Sequence, residues 1–277
     1  MSSPSSIGVL GLGIIGSRVA ENLRQAGHQV HVWSHTARAV SGALPTPKAV
    51  AEAAQVIQIF VRDSEALLTA LREMQSALGT QHIILNHATV SKAATLEAAR
   101  LCQEAGAAFL DAPFTGSKMA AQNAKLVYYI GGSMEVLDRV RPILEVTSTN
   151  ILPLGDIGDA TVLKIVTNLV TSITVQAVAE AAAITHSQGI PLPQLLTALQ
   201  NNANYSTLIG MKLPSIIAND FEAHFSLRNM LKDADFAREL AVAGDLATPA
   251  LDCTAEAMRA GVEAGQGDLD FCVIGQV

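Results

Sequence analysis

The chain has 277 residues, of which 49% are hydrophobic and 4% aromatic, and its formal net charge is -7 at pH 7. This length allows one large or two modest domains, and the abundance of aliphatic residues suits helices packed on a parallel sheet. The acidic balance, without any cluster of lysine and arginine, argues against a nucleic-acid-binding surface.

The cysteines, the N-terminal residues and the longest apolar stretch indicate in which cellular compartment the protein is expected. Three widely spaced cysteines indicate neither a disulfide framework nor a zinc site, so we expect no metal and a reducing environment. We read no export signal at the N-terminus. The longest apolar stretch, residues 155–188, is interrupted by Lys164, Asn168, Gln176 and Glu180 at intervals too short for a membrane span. The sequence therefore predicts a cytoplasmic protein.

A glycine-rich turn follows the first predicted strand. Residues 7–10 form an apolar run, residues 11–16 read G-L-G-I-I-G, and a helical pattern continues to Gly27. This strand, turn and helix are typical of a dinucleotide-binding site, in which the glycines permit a tight turn and the close approach of a pyrophosphate to the helix N-terminus. The alternative is a merely glycine-rich turn. The residues predicted to bind the cofactor here are Gly11, Leu12, Gly13, Ile14, Ile15 and Gly16.

The second predicted strand, residues 29–33, ends where such a site selects its cofactor. An NAD site usually carries Asp or Glu there for the ribose hydroxyls, and neither occurs between Glu21 and Glu52. Hydroxyl and basic side chains are present instead, which favours the 2′-phosphate of NADP over NAD. A solvated turn with an incidental arginine is the alternative. The candidate NADP-binding residues are Ser34, His35, Thr36 and Arg38.

Three further predicted strands, at residues 56–61, 83–86 and 108–110, alternate with helices at 64–74 and 91–105. Apolar runs at 126–130 and 151–154 complete the sheet. The alternation predicts an α/β fold with a Rossmann-like, doubly wound parallel sheet. The loops after these strands are expected to rim the ligand crevice, which makes Val61 and Thr89 candidate cofactor contacts.

The segment D-A-P-F-T-G-S-K, residues 111–118, is predicted to be a loop that presents hydroxyls and backbone amides. These groups are good donors for a small carboxylate, although an ordinary rim loop fits the pattern as well. The candidate substrate-binding residues are Thr115, Gly116 and Ser117.

One long helix is predicted from residue 161 to 187, because nothing breaks helical geometry before Gly189 and Pro191. It is apolar nearly all round, so we expect it to be buried. Lys164 and Asn168 lie four residues apart and therefore on one face. Lys164 could simply extend its ammonium to water along apolar neighbours, or it could serve in chemistry.

The rest of the chain has a helical pattern, with segments near residues 193–201, 226–243 and 248–264. We therefore predict two domains, a cofactor-binding domain at 1–157 and an all-helical domain at 158–277. The adjacent charges of Lys232 and Asp233 lie in an otherwise apolar segment, F-S-L-R-N-M-L-K-D-A-D-F-A at 225–237. A solvated helix face is the simplest explanation of such a pair.

Four ordered motifs together resemble the β-hydroxyacid dehydrogenase family, which includes 3-hydroxyisobutyrate dehydrogenases and the tartronate, glyoxylate and succinic semialdehyde reductases. They are G-L-G-I-I-G at 11–16, D-A-P-F-T-G-S at 111–117, G-D-I-G-D-A-T-V-L-K-I-V-T-N at 155–168, and F-S-L-R-N-M-L-K-D at 225–233. The form G-S-K at 116–118 looks closer to the glyoxylate and succinic semialdehyde reductases.

The resemblance implies an active site in the cleft between the two domains, with an oligomer, a homodimer or homotetramer, formed through the helical one. It makes Lys164 the catalytic lysine and Asn168 the residue that helps to hold the substrate. It assigns the substrate carboxylate to Thr115 and Gly116, with Ser117 beside them. In the helical domain it assigns Phe225 and Asp233 to the substrate and Lys232 to the cofactor.

The motifs also depart from the family pattern. The usual serine before the glycine pair is Thr115 and the second glycine is Ser117; the loop commonly reading D-x-S-T is N-H-A-T at 86–89. Ser34 and His35 replace an asparagine-arginine pair that is common in NADP-using members, and Thr167 replaces a common asparagine. These departures affect the expected identity of the substrate more than the expected reaction.

The expected function is NADPH-dependent hydride transfer to or from a small carboxylate-bearing aldehyde, keto acid or β-hydroxyacid, with Lys164 as general acid and base. One alternative is reduction of cyclic imines on the same scaffold; the related imine reductases typically carry aspartate or tyrosine at the lysine position. The other is a non-catalytic NADP-binding oligomeric protein, which would be expected to have lost the lysine.

Overall fold

The computed structural model describes residues 6–36 and 40–276. Within it the chain divides into two compact units, of which the first ends at Lys164 and the second begins at Ile165. The division falls inside a long helix, whereas the sequence places the boundary before that helix, at 157/158. The difference arises because the first turn of the helix is hydrogen-bonded to the sheet of the first unit, through Asp111 and Thr161.

The first unit is built on an eight-stranded sheet with the order β2-β1-β3-β4-β5-β7-β6, in which β8 also pairs with β7. The strands are β1 (Ser6–Leu10), β2 (Gln29–Trp33), β3 (Val56–Ile59), β4 (Ile83–Asn86), β5 (Ala108–Asp111), β6 (Phe114–Thr115), β7 (Leu126–Gly131) and β8 (Ser148–Gly155). The first five pair in parallel, as do β7 and β8.

The expected Rossmann-like, doubly wound class with a helical second domain is confirmed, but the sheet is mixed rather than parallel. Strand β7 runs antiparallel to β5 and β6. Phe114 and Thr115, predicted to lie in a loop, form β6 because they pair with Tyr128 and Val127. Strand β3 ends at Ile59 rather than at residue 61, since the backbone beyond it turns against the glycine-rich turn.

Within the described part of this unit, six helices accompany the sheet, and its buried aliphatic residues form two clusters. Three of them, α2, α5 and α6, are missing from the sequence prediction, although Thr46, Ser117 and Ser133 cap their first turns and could have marked them. The six are α1 (Gly16–Gln25), α2 (Pro47–Ala53), α3 (Ser64–Met74), α4 (Lys92–Glu104), α5 (Lys118–Gln122) and α6 (Met134–Glu145).

The long helix α7 runs from Asp159 to Ser187. It begins one turn after Gly155 and ends at Ser187 as predicted, where Gly189, with a positive φ of 70°, and Pro191 follow. Its composition and length would also allow it to cross a membrane, a property shared by the core helices of soluble proteins.

The prediction that α7 is buried all round is wrong for the single chain. Ile165, Val175 and Ala182 are almost fully buried, but Val170 and Ile184 are 58% and 65% exposed. The helix therefore has one packed face, which contributes to the core, and one apolar face that this chain leaves exposed.

The second unit is helical around one hydrophobic core. Besides the part of α7 from Ile165 on, it contains α8 (Leu192–Gln200), α9 (Thr207–Ala218), α10 (Leu227–Ala243), α11 (Pro249–Gly261), a π-helical turn (Val262–Gln266) and a 3-10 helix (Phe271–Gly275). The predicted helix at 248–264 is α-helical only to Gly261, because the chain continues as the π-helical turn, within which Gly265 has a φ of 85°. A buried ion pair between Lys212 and Asp270, 2.7 Å apart, ties α9 to the C-terminal segment.

Candidate active site

The glycine-rich turn between β1 and α1 has the geometry that the sequence predicts. Gly11 has a φ of 93°, and a Cβ atom built on it would lie 2.2 Å from the carbonyl oxygen of Phe60. A Cβ atom on Gly16 would lie 2.0 Å from the carbonyl oxygen of Gly11. These two glycines are therefore required by the turn and by the packing of α1 against it.

Gly13 differs from them, because a Cβ atom built there would meet no atom within 4 Å. The space beside it is open, and α1 starts at Ile15 and Gly16 without any side chain capping its first turn. This open space and the positive end of the helix dipole fit a pyrophosphate, while the backbone N–H groups of Ser17 and Arg18 donate to the carbonyl oxygens of Gly13 and Ile15. Around the turn Leu12 is buried, Ile15 is half-buried and Ile14 is exposed.

The residues expected to select the cofactor follow β2 directly. Ser34 is half-buried, and His35 and Thr36 are exposed, so their polar groups are available to a ribose or its phosphate. Arg38 lies outside the described residues. Val61 and Thr89 follow the neighbouring parallel strands β3 and β4, and both are half-buried at the carboxyl edge of the sheet.

The segment after β5 brings together the residues predicted for the substrate carboxylate. Thr115 is half-buried in β6, and Gly116 has a φ of 140°, a conformation that side-chain-bearing residues rarely adopt. The Ser117 hydroxyl oxygen accepts a hydrogen bond from the backbone N–H of Ala120 and so caps α5. Ser117 thus has a structural role that sequence reasoning did not foresee, while its hydroxyl proton remains a donor.

Asp111, at the end of β5, caps the helix that carries the predicted catalytic lysine. One carboxylate oxygen accepts from the backbone N–H groups of Gly158 and Thr161, and the other accepts from the Thr161 hydroxyl. Burial raises the pKa of Asp111 to about 6, although these three hydrogen bonds oppose the rise. The carboxylate fixes the start of α7 and hence the direction in which its first turns project.

Lys164 is half-buried in the second turn of α7, and Asn168 follows one turn later. Their spacing places both side chains on one helix face, as predicted. Asn168 is 9% exposed, and its side-chain nitrogen donates to Asp233 Oδ2 at 2.7 Å. A buried amide whose nitrogen donates to a fixed carboxylate has a fixed orientation, so the nitrogen and the oxygen of the Asn168 side chain have different roles.

The carboxylate of Asp233 is 1% exposed and joins two of the predicted site residues. It accepts from Asn168 on α7 and, through its second oxygen, from Lys232 Nζ at 2.7 Å. The Lys232 ammonium also lies 4.8 Å from the centre of the Phe236 ring. The adjacent charges are therefore a buried network rather than the solvated helix face that their spacing alone would suggest.

Phe225 lies just before α10, which carries this network. Its ring packs edge-on against Phe271 at 6.3 Å, and its backbone N–H donates to Asp270. The buried Lys212–Asp270 pair therefore holds the segment in which Phe225 lies. Among residues 6–36 and 40–276, no group of three or more His, Cys, Asp or Glu side chains is arranged to hold a metal ion.

Sequence reasoning missed two buried polar residues of the first unit. Asp111 was seen only as the start of a motif, because its contacts with Gly158 and Thr161 join residues 47 and 50 positions apart in the chain. In the sequence, His87 was only the unspecified second position of the loop N-H-A-T at 86–89, where the lost hydroxyl is at Ala88. It is 1% exposed and makes hydrogen-bonding contacts at both ring nitrogens.

Two family models match almost the whole chain. Residues 6–155 match the NAD binding domain of 6-phosphogluconate dehydrogenase, and residues 158–277 match the model described as NAD-binding of NADP-dependent 3-hydroxyisobutyrate dehydrogenase. The chloroplastic glyoxylate/succinic semialdehyde reductase 2 of Arabidopsis thaliana is 25% identical over 97% of this chain and 78% of its own length.

Solved structures share the fold. A 3-hydroxyisobutyrate dehydrogenase of Mycobacterium tuberculosis, solved with L-serine, superposes with a TM-score of 0.89 at 25% identity over 99% of this chain and 98% of its own. An imine reductase variant from Myxococcus stipitatus, solved with NAD+, has a TM-score of 0.65 at 21% identity, over 98% of each chain. At 21% identity, the similarity to the imine reductase shows a common fold and nothing more.

Proposed function

Because the chain belongs to the β-hydroxyacid dehydrogenase family, we propose that it is an NADPH-dependent oxidoreductase acting on a small carbonyl compound that carries a carboxylate, or on the corresponding hydroxyacid. When bound, the nicotinamide group supplies a hydride in the reductive direction and accepts one in the oxidative direction. The observation that carries the proposal is the buried Asn168–Asp233–Lys232 network, which begins one helical turn after Lys164.

Lys164 is the proposed general acid and base. Reduction places negative charge on the substrate oxygen, which the ammonium group stabilises by a hydrogen bond and then protonates; in oxidation the neutral amine accepts the hydroxyl proton. The capping of α7 by Asp111 supports this role, because it fixes the helix start one turn before the lysine. A lysine that merely extended to solvent would not need such a buried tether.

Asn168 is the proposed residue that orients the substrate. Its nitrogen is committed to Asp233, so the side chain cannot rotate without breaking a short, charge-assisted hydrogen bond. Asp233 therefore acts as a positioning residue toward Asn168 rather than as a direct substrate ligand, which refines its predicted role. Thr115 and Gly116 are the proposed carboxylate-binding residues of the first unit.

The proposed preference for NADP rests on the residues after β2. Ser34 and Thr36 provide hydroxyls, Arg38 provides a positive charge, and the segment holds no acidic side chain to repel a 2′-phosphate. The description of the second matching family model, which names an NADP-dependent enzyme, supports the same preference.

The proposed substrates are those of glyoxylate, succinic semialdehyde or 3-hydroxyisobutyrate type. Reduction of a cyclic imine on the same scaffold is disfavoured by Lys164, since the resemblance associates imine reduction with aspartate or tyrosine at this position. A non-catalytic cofactor-binding protein is disfavoured because the charged network around Asp233 is retained and buried.

The test is the initial rate of cofactor oxidation with purified protein, NADPH or NADH, and a panel of carbonyl compounds. The panel contains glyoxylate, succinic semialdehyde, methylmalonate semialdehyde, tartronate semialdehyde and a cyclic imine. The proposal predicts turnover of at least one carboxylate-bearing aldehyde, with NADPH preferred. Turnover of the imine alone, or binding of NADPH without any turnover, would contradict it.

A further inference from the structure

A buried cluster around His87 connects three of the loops at the carboxyl edge of the sheet. His87 follows β4, and its backbone N–H donates to the carbonyl oxygen of Ile59 at the end of β3. Its side chain reaches the segment after β5 and packs against the first residue after β3. The residues of this His87 cluster are Gln58, Phe60, His87, Ala112, Phe114 and Tyr128.

The hydrogen bonds of the His87 ring define its protonation state. Nδ1 lies 2.6 Å from the carbonyl oxygen of Ala112, and because a carbonyl only accepts, Nδ1 carries the proton. Burial lowers the pKa of His87 to about 3, so the ring is neutral and Nε2 is an acceptor. Gln58 Oε1 lies 3.1 Å from Nε2, and the buried nitrogen of the same amide has no acceptor. Exchanging the two amide ends, which are alike in shape, lets the Gln58 nitrogen donate to Nε2 and satisfies both groups.

The faces of the ring make a second set of contacts. The Phe60 ring stacks on His87 with centroids 4.5 Å apart and an angle of 19° between the planes. The same Phe60 ring contacts Phe114 at 6.0 Å, and its backbone carbonyl abuts Gly11, the first glycine of the cofactor turn. The glycine-rich turn, Phe60, His87 and Ala112 are thus in continuous contact.

Ala112 is the point at which this chain of contacts reaches the proposed substrate segment. It lies between Asp111, which caps α7, and Pro113, whose carbonyl oxygen accepts from the backbone N–H of Tyr129. The candidate carboxylate-binding residues begin at Thr115, three residues later. A group that fixes the Ala112 carbonyl therefore fixes the base of the segment that presents them.

We propose that His87 is a positioning residue that couples the glycine-rich cofactor turn to the substrate-binding segment 112–117, through Phe60 on one side and the Ala112 carbonyl on the other. The proposal rests on the proposed function, in which this segment binds the substrate carboxylate. Cofactor bound at the turn restricts the motion of Phe60, and the stacked Phe60 ring restricts the motion of the His87 ring. The His87 ring then keeps segment 112–117 in the conformation that binds the carboxylate.

The variant His87→Phe tests the hydrogen bonds of the ring, because phenylalanine keeps a stacking ring and loses both the donor to Ala112 and the contact with Gln58. A second variant, Phe60→Leu, removes the stacking partner and leaves that donor in place. Tyr128→Phe is the matched control: it removes a buried hydroxyl that is bonded to Thr147, within the same cluster, and leaves both links intact.

The first measurement is hydrogen–deuterium exchange with and without NADPH, followed in peptides covering residues 11–16 and 112–117. We expect NADPH to slow exchange in both segments of the wild type and of Tyr128→Phe. In His87→Phe and Phe60→Leu it slows exchange only at 11–16. Equal protection of 112–117 in the wild type and in both test variants would overturn the proposal.

The second measurement separates this coupling from the proposed function. With a carboxylate-bearing aldehyde we expect His87→Phe to raise KM about tenfold, as loss of one fixed hydrogen bond would, and to change kcat by less than about threefold. A fall in kcat without a rise in KM would overturn the positioning role. If the wild type reduces no carbonyl compound while NADPH still protects both segments, the proposed function fails and the coupling stands.

Discussion

The carboxylate of Asp111 accepts both the backbone N–H and the hydroxyl of Thr161, at 2.8 and 2.7 Å. These residues lie fifty positions apart in the chain, one at the end of a central strand and the other in the first turn of α7. Because Lys164 follows Thr161 by less than one turn, the end of β5 fixes the part of the helix that carries the proposed acid and base. The same strand then leads into the segment that carries Thr115 and Gly116.

The first prediction concerns the pH dependence of stability at Asp111. Its pKa is about 6 in the folded protein, against an ordinary value of 3.8, so the folded state binds the proton more tightly. The stabilisation from this group is present below pH 3.8 and is lost as the pH rises through about 6, at about 1.4 kcal/mol for each pKa unit. We expect Asp111→Asn to remove this slope in urea unfolding measured between pH 4 and 7.

Asp111→Ala serves as the companion variant, because it removes every acceptor and leaves the N–H groups of the first turn without their cap. We expect it to lower the free energy of unfolding by about 1–3 kcal/mol at pH 4, and by less at pH 7, because it also removes the titrating carboxyl group. A slope that persists unchanged in Asp111→Asn would show that another group titrates in this range.

The second prediction concerns His87, whose contribution to stability changes with pH in the opposite direction to that of Asp111. Its pKa is lowered from 6.5 to about 3 by burial, so the unfolded chain binds the proton more tightly. The neutral ring's contribution is present above pH 6.5 and is lost as the pH falls toward 3. In His87→Phe the unfolding free energy should fall less steeply with acid than in the wild type, as chemical denaturation between pH 4 and 7 would measure.

The third prediction uses two glycines of one turn as a matched pair. Gly13→Ala adds a methyl group to open space, so the free energy of unfolding should change by less than about 0.5 kcal/mol while the Kd for NADPH rises about tenfold or more. Gly16→Ala places a methyl group against the carbonyl of Gly11 and should destabilise the fold by about 1–3 kcal/mol. Fluorescence titration and thermal melting of both variants measure these effects; an unchanged Kd in Gly13→Ala would contradict the cofactor assignment.

The fourth prediction concerns the acceptor of the Asn168 side chain. Asp233→Asn weakens the buried hydrogen bonds to Asn168 and Lys232, so we expect kcat/KM to fall about 10- to 100-fold and the free energy of unfolding to fall by about 1–3 kcal/mol. Asp235→Asn is the control on the same helix, because the Asp235 side chain is 42% exposed and pairs with the surface arginines Arg238 and Arg259. Steady-state kinetics that leave the two variants equally active would exclude the positioning role of Asp233.

Local signals predicted most of the first unit. The glycine spacing at 11–16 identified the cofactor turn, and the apolar runs located the buried parallel strands, because both depend on residues close in sequence. The antiparallel β6–β7 pair was missed, since the pairing of Phe114 with Tyr128 depends on the return of the chain after α5. Helices α2, α5 and α6 were missed although their caps are visible in the sequence.

The residues of the candidate site could be predicted where they belong to a local sequence motif. They could not be predicted where their role depends on a contact between residues far apart in the chain. The spacing of Lys164 and Asn168 identified their common face, but the contact of Asn168 with Asp233 joins residues 65 positions apart. The adjacent pair Lys232–Asp233 looks like an exposed helix face in sequence, and only the packing of α10 shows that its carboxylate is buried. His87 and Asp111 gained their roles in the same way, from tertiary packing.

The central claim is that Lys164 moves the proton to and from the substrate oxygen. The most direct test compares kcat/KM for the preferred carboxylate-bearing aldehyde, and the Kd for NADPH, in the wild type, Lys164→Ala and the control Lys48→Ala, which removes an exposed lysine from α2. We expect Lys164→Ala to lose about 10²- to 10⁴-fold in kcat/KM with an unchanged Kd, and Lys48→Ala to behave as the wild type. A Lys164→Ala enzyme that turns over at the wild-type rate would contradict the account.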